Sequence, residues 1–210
     1  MLVQPITNLM TSAFGNVWNK YFQNNPDVWD RMYQRDYSRK LDSDGQQARN
    51  FVLAGIIHSS GIACPRVLDI GCGNGSLLRL MGRQPIEYFG LDLSTTAIEE
   101  ARKKWENKYP NAQFEVADFR ALSARDPRLE QKFDFVVFNE VLYYFPLEDI
   151  EAVLDHARSH LGPKGEILIS MSENPKAQII WRRCLSKLTV LFEHYVQSGM
   201  FTAWKVKAFR

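Results

Sequence analysis

Val67-Leu68-Asp69-Ile70-Gly71-Cys72-Gly73-Asn74-Gly75-Ser76 decides how this chain is read. A short aliphatic run carries an acid near its end, and a loop with glycine at every second position follows at once. Leu77-Leu78-Arg79-Leu80-Met81 then has the composition of a helix start. The order is strand, tight turn, helix. Glycine there permits positive φ and removes Cβ atoms, so a ligand can lie against bare backbone. A helix start would turn unpaired N–H groups and partial positive charge toward that ligand.

Outward from this stretch, strands and helices alternate. After strand one (66–70) and a helix over 76–82 come a strand over 86–91, a helix capped by Ser94 that runs to Lys108, and a strand over 113–117. Residues 118–131 read as irregular or as one short helical turn. A strand over 133–138, a helix after Pro146, a Gly162-Pro163-Lys164-Gly165 turn and a strand over 166–171 follow. A helix over 175–186 leads to two strand-like segments, 188–194 and 201–209, joined at Gly199. The alternation predicts a parallel sheet with helices on both faces, and the last two segments predict an antiparallel pair at its edge.

Toward the N-terminus, Phe14, Val17, Trp18, Tyr21 and Phe22 predict a short amphipathic helix. Asn25-Pro26-Asp27 supplies a cap and a first-turn proline for a helix from Pro26 to Tyr37. Trp29, Tyr33 and Tyr37 share one face of it, as core packing or as a lid over a ligand. A helix over 45–59 comes next, stopped by Gly61. This divides the chain into a helical cap over 1–41 and a domain over 42–210.

Composition narrows the function. With 210 residues the chain can bury a full core. A net charge of +2 argues for neither nucleic acid nor an anionic membrane. Three cysteines without paired spacing suit a reducing compartment, and no apolar run is long enough to span a bilayer. The first twenty residues lack the basic start of a signal peptide, so a cytoplasmic protein is expected.

Two kinds of ligand compete for the loop. Dinucleotides use G-x-G-x-x-G, whose loop and helix start hold a pyrophosphate. Here the spacing is G-x-G-x-G, Ser76 stands at the sixth position, and Asp69 would face a pyrophosphate unfavourably. A cation is the better fit. Val67 to Gly75 resembles the first motif of the class I S-adenosylmethionine-dependent methyltransferases. Gly90-Leu91-Asp92-Leu93-Ser94 is similar to the second and Val116-Ala117-Asp118-Phe119 to the third. Phe133 to Phe145 resembles the fourth, and Leu161 to Glu166 the turn after it. The Glu140-Val141-Leu142-Tyr143-Tyr144 form of the fourth motif is similar to the NodS-like small-molecule type. The likeness covers residues 42–171.

The resemblance implies a Rossmann-like α/β fold with a seven-stranded, mostly parallel sheet, an antiparallel C-terminal strand and helices on both faces. It implies S-adenosyl-L-methionine as cofactor and S-adenosyl-L-homocysteine as product. Asp92 would accept both ribose hydroxyls, with Leu93 beside it. Asp118 would accept the adenine amino group, with Phe119 backing the ring. Gly71, Cys72 and Gly73 would leave room for the methionine portion, and Asp69 would contact or orient its ammonium end. Asn139 would offer its main-chain carbonyl to the same ammonium. Glu140, Tyr143 and Tyr144 are the candidates for acceptor contact, Glu140 as a carboxylate able to hold a substrate amine. Tyr33, Trp29 and Arg39 would close over the cofactor. No metal is expected.

The activity so implied is N- or O-methylation of a small molecule by in-line displacement. A methyltransferase of protein or RNA, and a non-methylating member that only binds the cofactor, are the alternatives. His156 and His160, four apart on one helix, lack a third ligand and read as a solvated face. Arg102-Lys103-Lys104 reads as a helix surface.

Overall fold

The computed structural model describes residues 25–82, 84–123, 126–198 and 202–210. The helix expected over 14–22 and the turn at Gly199 lie outside the described residues. The chain forms α1 (Pro26–Gln34), α2 (Tyr37–Leu41), α3 (Asp44–Ser59), β1 (Arg66–Ile70), β2 (Glu87–Asp92), α4 (Thr95–Trp105), β3 (Ala112–Val116), β4 (Phe133–Asn139), α5 (Ile150–Ser159), β5 (Leu161–Ser172), α6 (Pro175–Lys187), β6 (Val190–Ser198) and β7 (Thr202–Phe209). Short 3-10 turns fill several connections.

One seven-stranded sheet runs in the order β3-β2-β1-β4-β5-β7-β6. The first five strands pair in parallel, while β7 pairs antiparallel with both β5 and β6. The parallel strands are buried on both faces and therefore read as nearly continuous apolar runs. Side chains alternate between the faces. Leu68, Ile70, Val136, Phe138, Ile167 and Ile169 pack against α5 and α6. Val67, Tyr88, Phe114, Phe135, Val137 and Leu168 pack against α3 and α4. The topology reverses at β1, which neighbours both β2 and β4, so ligands are expected beyond the C-terminal ends of these strands.

Three local expectations are corrected. The helix expected from Pro26 to Tyr37 breaks. Asn25 caps it through its side chain and Pro26 occupies the first turn, but Arg35 and Asp36 close back on Met32 and Tyr33. Asp36 takes φ 67°, and α2 restarts at Tyr37. Its carboxylate pairs with Arg39, which is largely exposed. The segment after the glycine loop is a 3-10 turn over Ser76–Leu80 instead of an α-helix, because Leu78 and Met81 bond three residues back. Residues 162–165 are absorbed into an irregular start of β5, where the register to β4 shifts between Phe133 and Phe135. Between β3 and β4, two 3-10 turns occupy Phe119–Ala121 and Pro127–Leu129.

Candidate active site

A cavity of about 360 Å³ opens at the C-terminal ends of β1, β2 and β4. Gly71, Cys72, Gly73, Asp92, Leu93, Asp118, Phe119, Asn139, Glu140, Tyr143, Tyr144 and Tyr33 all line it. Asp69 does not. Strand alternation places it on the α3 side of β1 with Val67, where it is 2 % exposed. There its Oδ2 accepts the Tyr88 hydroxyl at 2.6 Å, while Oδ1 has no partner among the described residues. Burial pushes its carboxyl up to about 7, against the opposing pull of the Tyr88 hydrogen bond. Asp69 thus stands behind the loop and outside the cavity wall.

The glycine loop spends its amides inside the protein. The Gly71 and Cys72 N–H groups both donate to the Leu91 carbonyl, at 2.8 and 2.9 Å. Gly73 N–H donates to Asp92 Oδ2 at 2.8 Å, and Gly75 N–H to the Cys72 carbonyl at 3.0 Å. A pyrophosphate cradle needs such amides free and a helix dipole behind them. Here the Gly71, Cys72, Gly73 and Gly75 amides are spent, a 3-10 turn stands in place of an α-helix, and the Asp92 carboxylate stands at the loop's mouth. The room left by the missing side chains is also taken up internally. A Cβ at Gly71 would meet Val141 Cγ2 at 2.5 Å, and one at Gly73 would meet the Tyr33 hydroxyl at 2.5 Å. These glycines let the cavity walls close on the loop.

Asp92 keeps acceptor capacity. Oδ1 takes the Ser94 amide at 2.9 Å, Oδ2 the Gly73 amide, and the Leu93 backbone also bonds the carboxylate, which still leaves it room to accept from a ligand. Burial holds its carboxyl above the ordinary range, opposed by the Ser94 and Gly73 amides. Asp118 is more committed. Arg120 reaches its Oδ1 through the amide and Nε, at 3.0 and 3.1 Å, and its Oδ2 through Nη2 at 2.5 Å. One direction on Oδ2 remains. Phe119 is buried below it, stacked on His156 with centroids 4.4 Å apart.

The roof is aromatic. Tyr33 and Tyr37 meet edge to face at 5.5 Å, Trp29 and Tyr37 lie 6.2 Å apart, and Trp29 meets Tyr144 edge to face at 4.8 Å. The break at Asp36 is what turns Tyr37 toward its neighbours. Asp30 fastens α1 to α4 by accepting the Ser94 hydroxyl at 2.6 Å and the Thr96 amide at 2.9 Å, and Ser38 bonds Glu100. Burial, then Asp92, drives the Tyr33 phenol well above 10, so it remains protonated. Arg39 lies outside this wall, paired with Asp36.

Just beyond the end of β4, Glu140 holds φ 61°, the left-handed region, and its amide donates to the Ser170 carbonyl at 2.9 Å. Such strain in a non-glycine residue costs about 1 kcal/mol or more and persists only where its surroundings enforce it. Glu140 Oε2 accepts the Tyr143 hydroxyl at 2.8 Å. Oε1 is buried without a partner among the described residues. Burial raises this carboxyl, and Arg49 works against the rise.

A family model described as a methyltransferase domain matches residues 26–204. The chain belongs to the methyltransferase-domain family. It is 31 % identical over 127 residues to the ubiquinone biosynthesis O-methyltransferase of Albidiferax ferrireducens, which covers 60 % of this chain and 48 % of that protein. The chain thus spans about half the length of the curated relatives it matches. Among solved structures, magnesium protoporphyrin IX methyltransferase of Synechocystis with bound S-adenosylmethionine superposes with a TM-score of 0.65 at 20 % identity, covering 93 % of this chain and 96 % of that one. The N-methyltransferase NodS of Bradyrhizobium japonicum, in complex with S-adenosyl-L-homocysteine, gives 0.69 at 19 % identity, covering 91 % and 95 %. At that identity the likeness is one of fold.

This methyltransferase domain also brings residues into the cavity that local patterns did not single out. Arg49 of α3 is 3 % exposed, donates from Nε to Asn139 Oδ1 at 2.9 Å and from Nη1 to the Gln46 carbonyl at 2.6 Å, and lies over the Trp204 ring at 5.4 Å. Asn139 is clamped by it and by Asn50, whose Oδ1 accepts from Asn139 Nδ2 at 2.7 Å. A usable signal existed, since Arg49 shares a helix face with the apolar Leu53, Ile56 and Ile57. Ser172, Arg120 and Trp204 had no such signal. The histidine pair is corrected too. His160 is 1 % exposed, the two rings lie 4.9 Å apart, and burial lowers both imidazoles. They pack beneath Phe119 instead of facing solvent. Among the described residues no group of three or more His, Cys, Asp or Glu could hold a metal ion.

Proposed function

We propose that this domain transfers a methyl group from S-adenosylmethionine to a nitrogen or oxygen of a small-molecule acceptor. The single observation that carries the reading is the loop whose amides are internally spent, with Asp92 at its mouth. That arrangement suits a cofactor without phosphate that brings a diol and positive charge. The residues fit the group in detail. The acceptor capacity left on Asp92 suits the ribose hydroxyls, and the remaining direction on Asp118 suits an adenine amino group. Leu93 and Phe119 line the space between. With its side chain clamped, Asn139 has its main chain left for an ammonium, and Arg49 is the cation for the methionine carboxylate. Asp69 acts from behind, holding the loop's approach through Tyr88.

When bound, the cofactor supplies an activated methyl group on a sulfonium. The chain's share is alignment of that methyl with the acceptor, and such alignment contributes about 7–11 kcal/mol to a displacement. A roof of Trp29, Tyr33 and Tyr37 over the cavity supports a small acceptor over a macromolecule. We place 1–41 as a cap and 42–210 as the catalytic domain. Among the described residues no helix is long and apolar enough to cross a membrane, and all three cysteines are free thiols. These support a cytoplasmic setting.

Isothermal titration with S-adenosylmethionine and S-adenosylhomocysteine tests the reading. Saturable binding of both, with none of nicotinamide adenine dinucleotide, is expected. Absence of heat with either at millimolar concentration overturns it.

A further inference from the structure

The half of the cavity away from the glycine loop has its own chemistry. Trp29, Tyr37 and Tyr144 meet it at steep angles, with 84° between Trp29 and Tyr144 and 57° between Trp29 and Tyr37. Rings set this way form a box corner. A flat aromatic acceptor would need a slot of parallel faces instead. Glu140 adds a carboxylate to the same wall, with Oε2 on Tyr143, the Trp204 side chain and the Ser172 backbone also favouring its charged form, and no close hydrogen bond on Oε1. Its charge reaches both Tyr37 and Tyr144.

Arg49 favours the charged form of Glu140 but forms no ion pair with it. Arg49 spends its hydrogen bonds on Asn139 and Gln46, both neutral, and Glu140 enters no ion pair among the described residues. A buried carboxylate with hydrogen bonds but no ion-pair partner is costly, and an incoming cation lowers the cost. Aromatic faces around that cation add further attraction.

We infer that Glu140, Trp29, Tyr37 and Tyr144 form a subsite for an aliphatic amine, and that the methyl acceptor is its nitrogen. This rests on the methyl-transfer reading and narrows it from nitrogen or oxygen to nitrogen. The amine arrives as an ammonium and gives one proton to the Glu140 carboxylate, which becomes a carboxylic acid. The freed nitrogen lone pair then forms the bond to the methyl carbon. The carbon–sulfur bond breaks, and its electron pair stays on sulfur as a neutral thioether. The product leaves as an N-methylammonium, and Glu140 returns its proton to water.

Choline and its uncharged carbon isostere, 3,3-dimethylbutan-1-ol, probe the subsite without turnover. Both are titrated into the protein with and without saturating S-adenosylhomocysteine. Choline is expected to bind at least tenfold tighter than the isostere. In Glu140→Gln that preference is expected to fall below threefold with S-adenosylhomocysteine affinity retained, and Trp29→Leu is expected to weaken choline about fivefold. Equal affinity for the two probes overturns the inference, as does a preference that survives Glu140→Gln. Failure of S-adenosylhomocysteine to bind, seen in its own titration, overturns the methyl-transfer reading, while a choline preference in the same sample still supports the cation subsite.

Discussion

The Gly73 amide donates to Asp92 Oδ2 across 2.8 Å, tying the glycine loop to the end of β2. This bond and the Ser94 amide on Oδ1 fix the Asp92 carboxylate while leaving it acceptor capacity for a ligand. Asp92→Asn keeps the shape and replaces one acceptor by a donor. Charge-assisted hydrogen bonds of this kind are worth about 1.5–3 kcal/mol. S-adenosylmethionine affinity should therefore fall by roughly ten- to a hundredfold, as read by titration calorimetry.

Gly73 sits at φ 56°, and a Cβ there would come within 2.5 Å of the Tyr33 hydroxyl. Gly73→Ala carries two costs, backbone strain of about 1–2 kcal/mol and that clash. Removing the hydroxyl separates them. The midpoint of urea unfolding should drop for Gly73→Ala and recover in part, not fully, in the double variant with Tyr33→Phe. Strict additivity of the two substitutions would show that Tyr33 and Gly73 do not touch.

Asp69 gives a dependence on pH with a definite sign. Its folded pKa of about 7 lies above the ordinary value of about 3.9 for an aspartate. The native state therefore holds its proton where the unfolded chain has lost it. Asp69 contributes stability below about pH 4, and the contribution is lost as pH rises through 7. Asp69→Asn keeps an acceptor for Tyr88 and removes the titration. Chemical denaturation across pH 4–8 should give a flatter profile for the variant, with a gain of about 1–3 kcal/mol at pH 8, since each pKa unit is worth about 1.4 kcal/mol.

Lys176 of α6 holds the turn that presents the tyrosines. Its ammonium donates to the Tyr143 carbonyl at 2.6 Å and to the Phe145 carbonyl at 3.2 Å. Lys176→Met keeps the stem and removes the donors. Tyr143 and Tyr144 should lose their fixed placement, so the KM for the acceptor should rise severalfold while S-adenosylhomocysteine affinity stays within twofold. Equal losses in both would make Lys176 a general stability residue instead of a positioning one.

Much of this was legible along the chain because it is local. Period-two and helical patterns, proline and asparagine at helix starts, and glycines in the first loop give the order of strands and helices. The acids Asp92 and Asp118 stand at or just beyond strand ends, and strand ends of such a sheet converge on one edge. The order of motifs was enough to select the fold and the cofactor end of the cavity. Even the antiparallel pair at the edge followed from the change of pattern after residue 188.

Tertiary structure decided the rest, for reasons of distance along the chain. Arg49 and Asn139 are ninety residues apart in sequence and 2.9 Å apart in space, and no local periodicity encodes such a pairing. Asp69 stands two residues before Gly71, yet its side chain leaves by the opposite face, because which face of β1 meets the cavity depends on what β2 and β4 bring beside it. The break at Asp36 is likewise invisible in a helix-forming run without glycine, and with it Tyr37 lies on a separate helix 6.2 Å from Trp29. The sequence by itself determined which groups stand at the ends of the parallel strands. Only packing of the cap, α3 and β7 against those ends decided which of them face one another across a cavity.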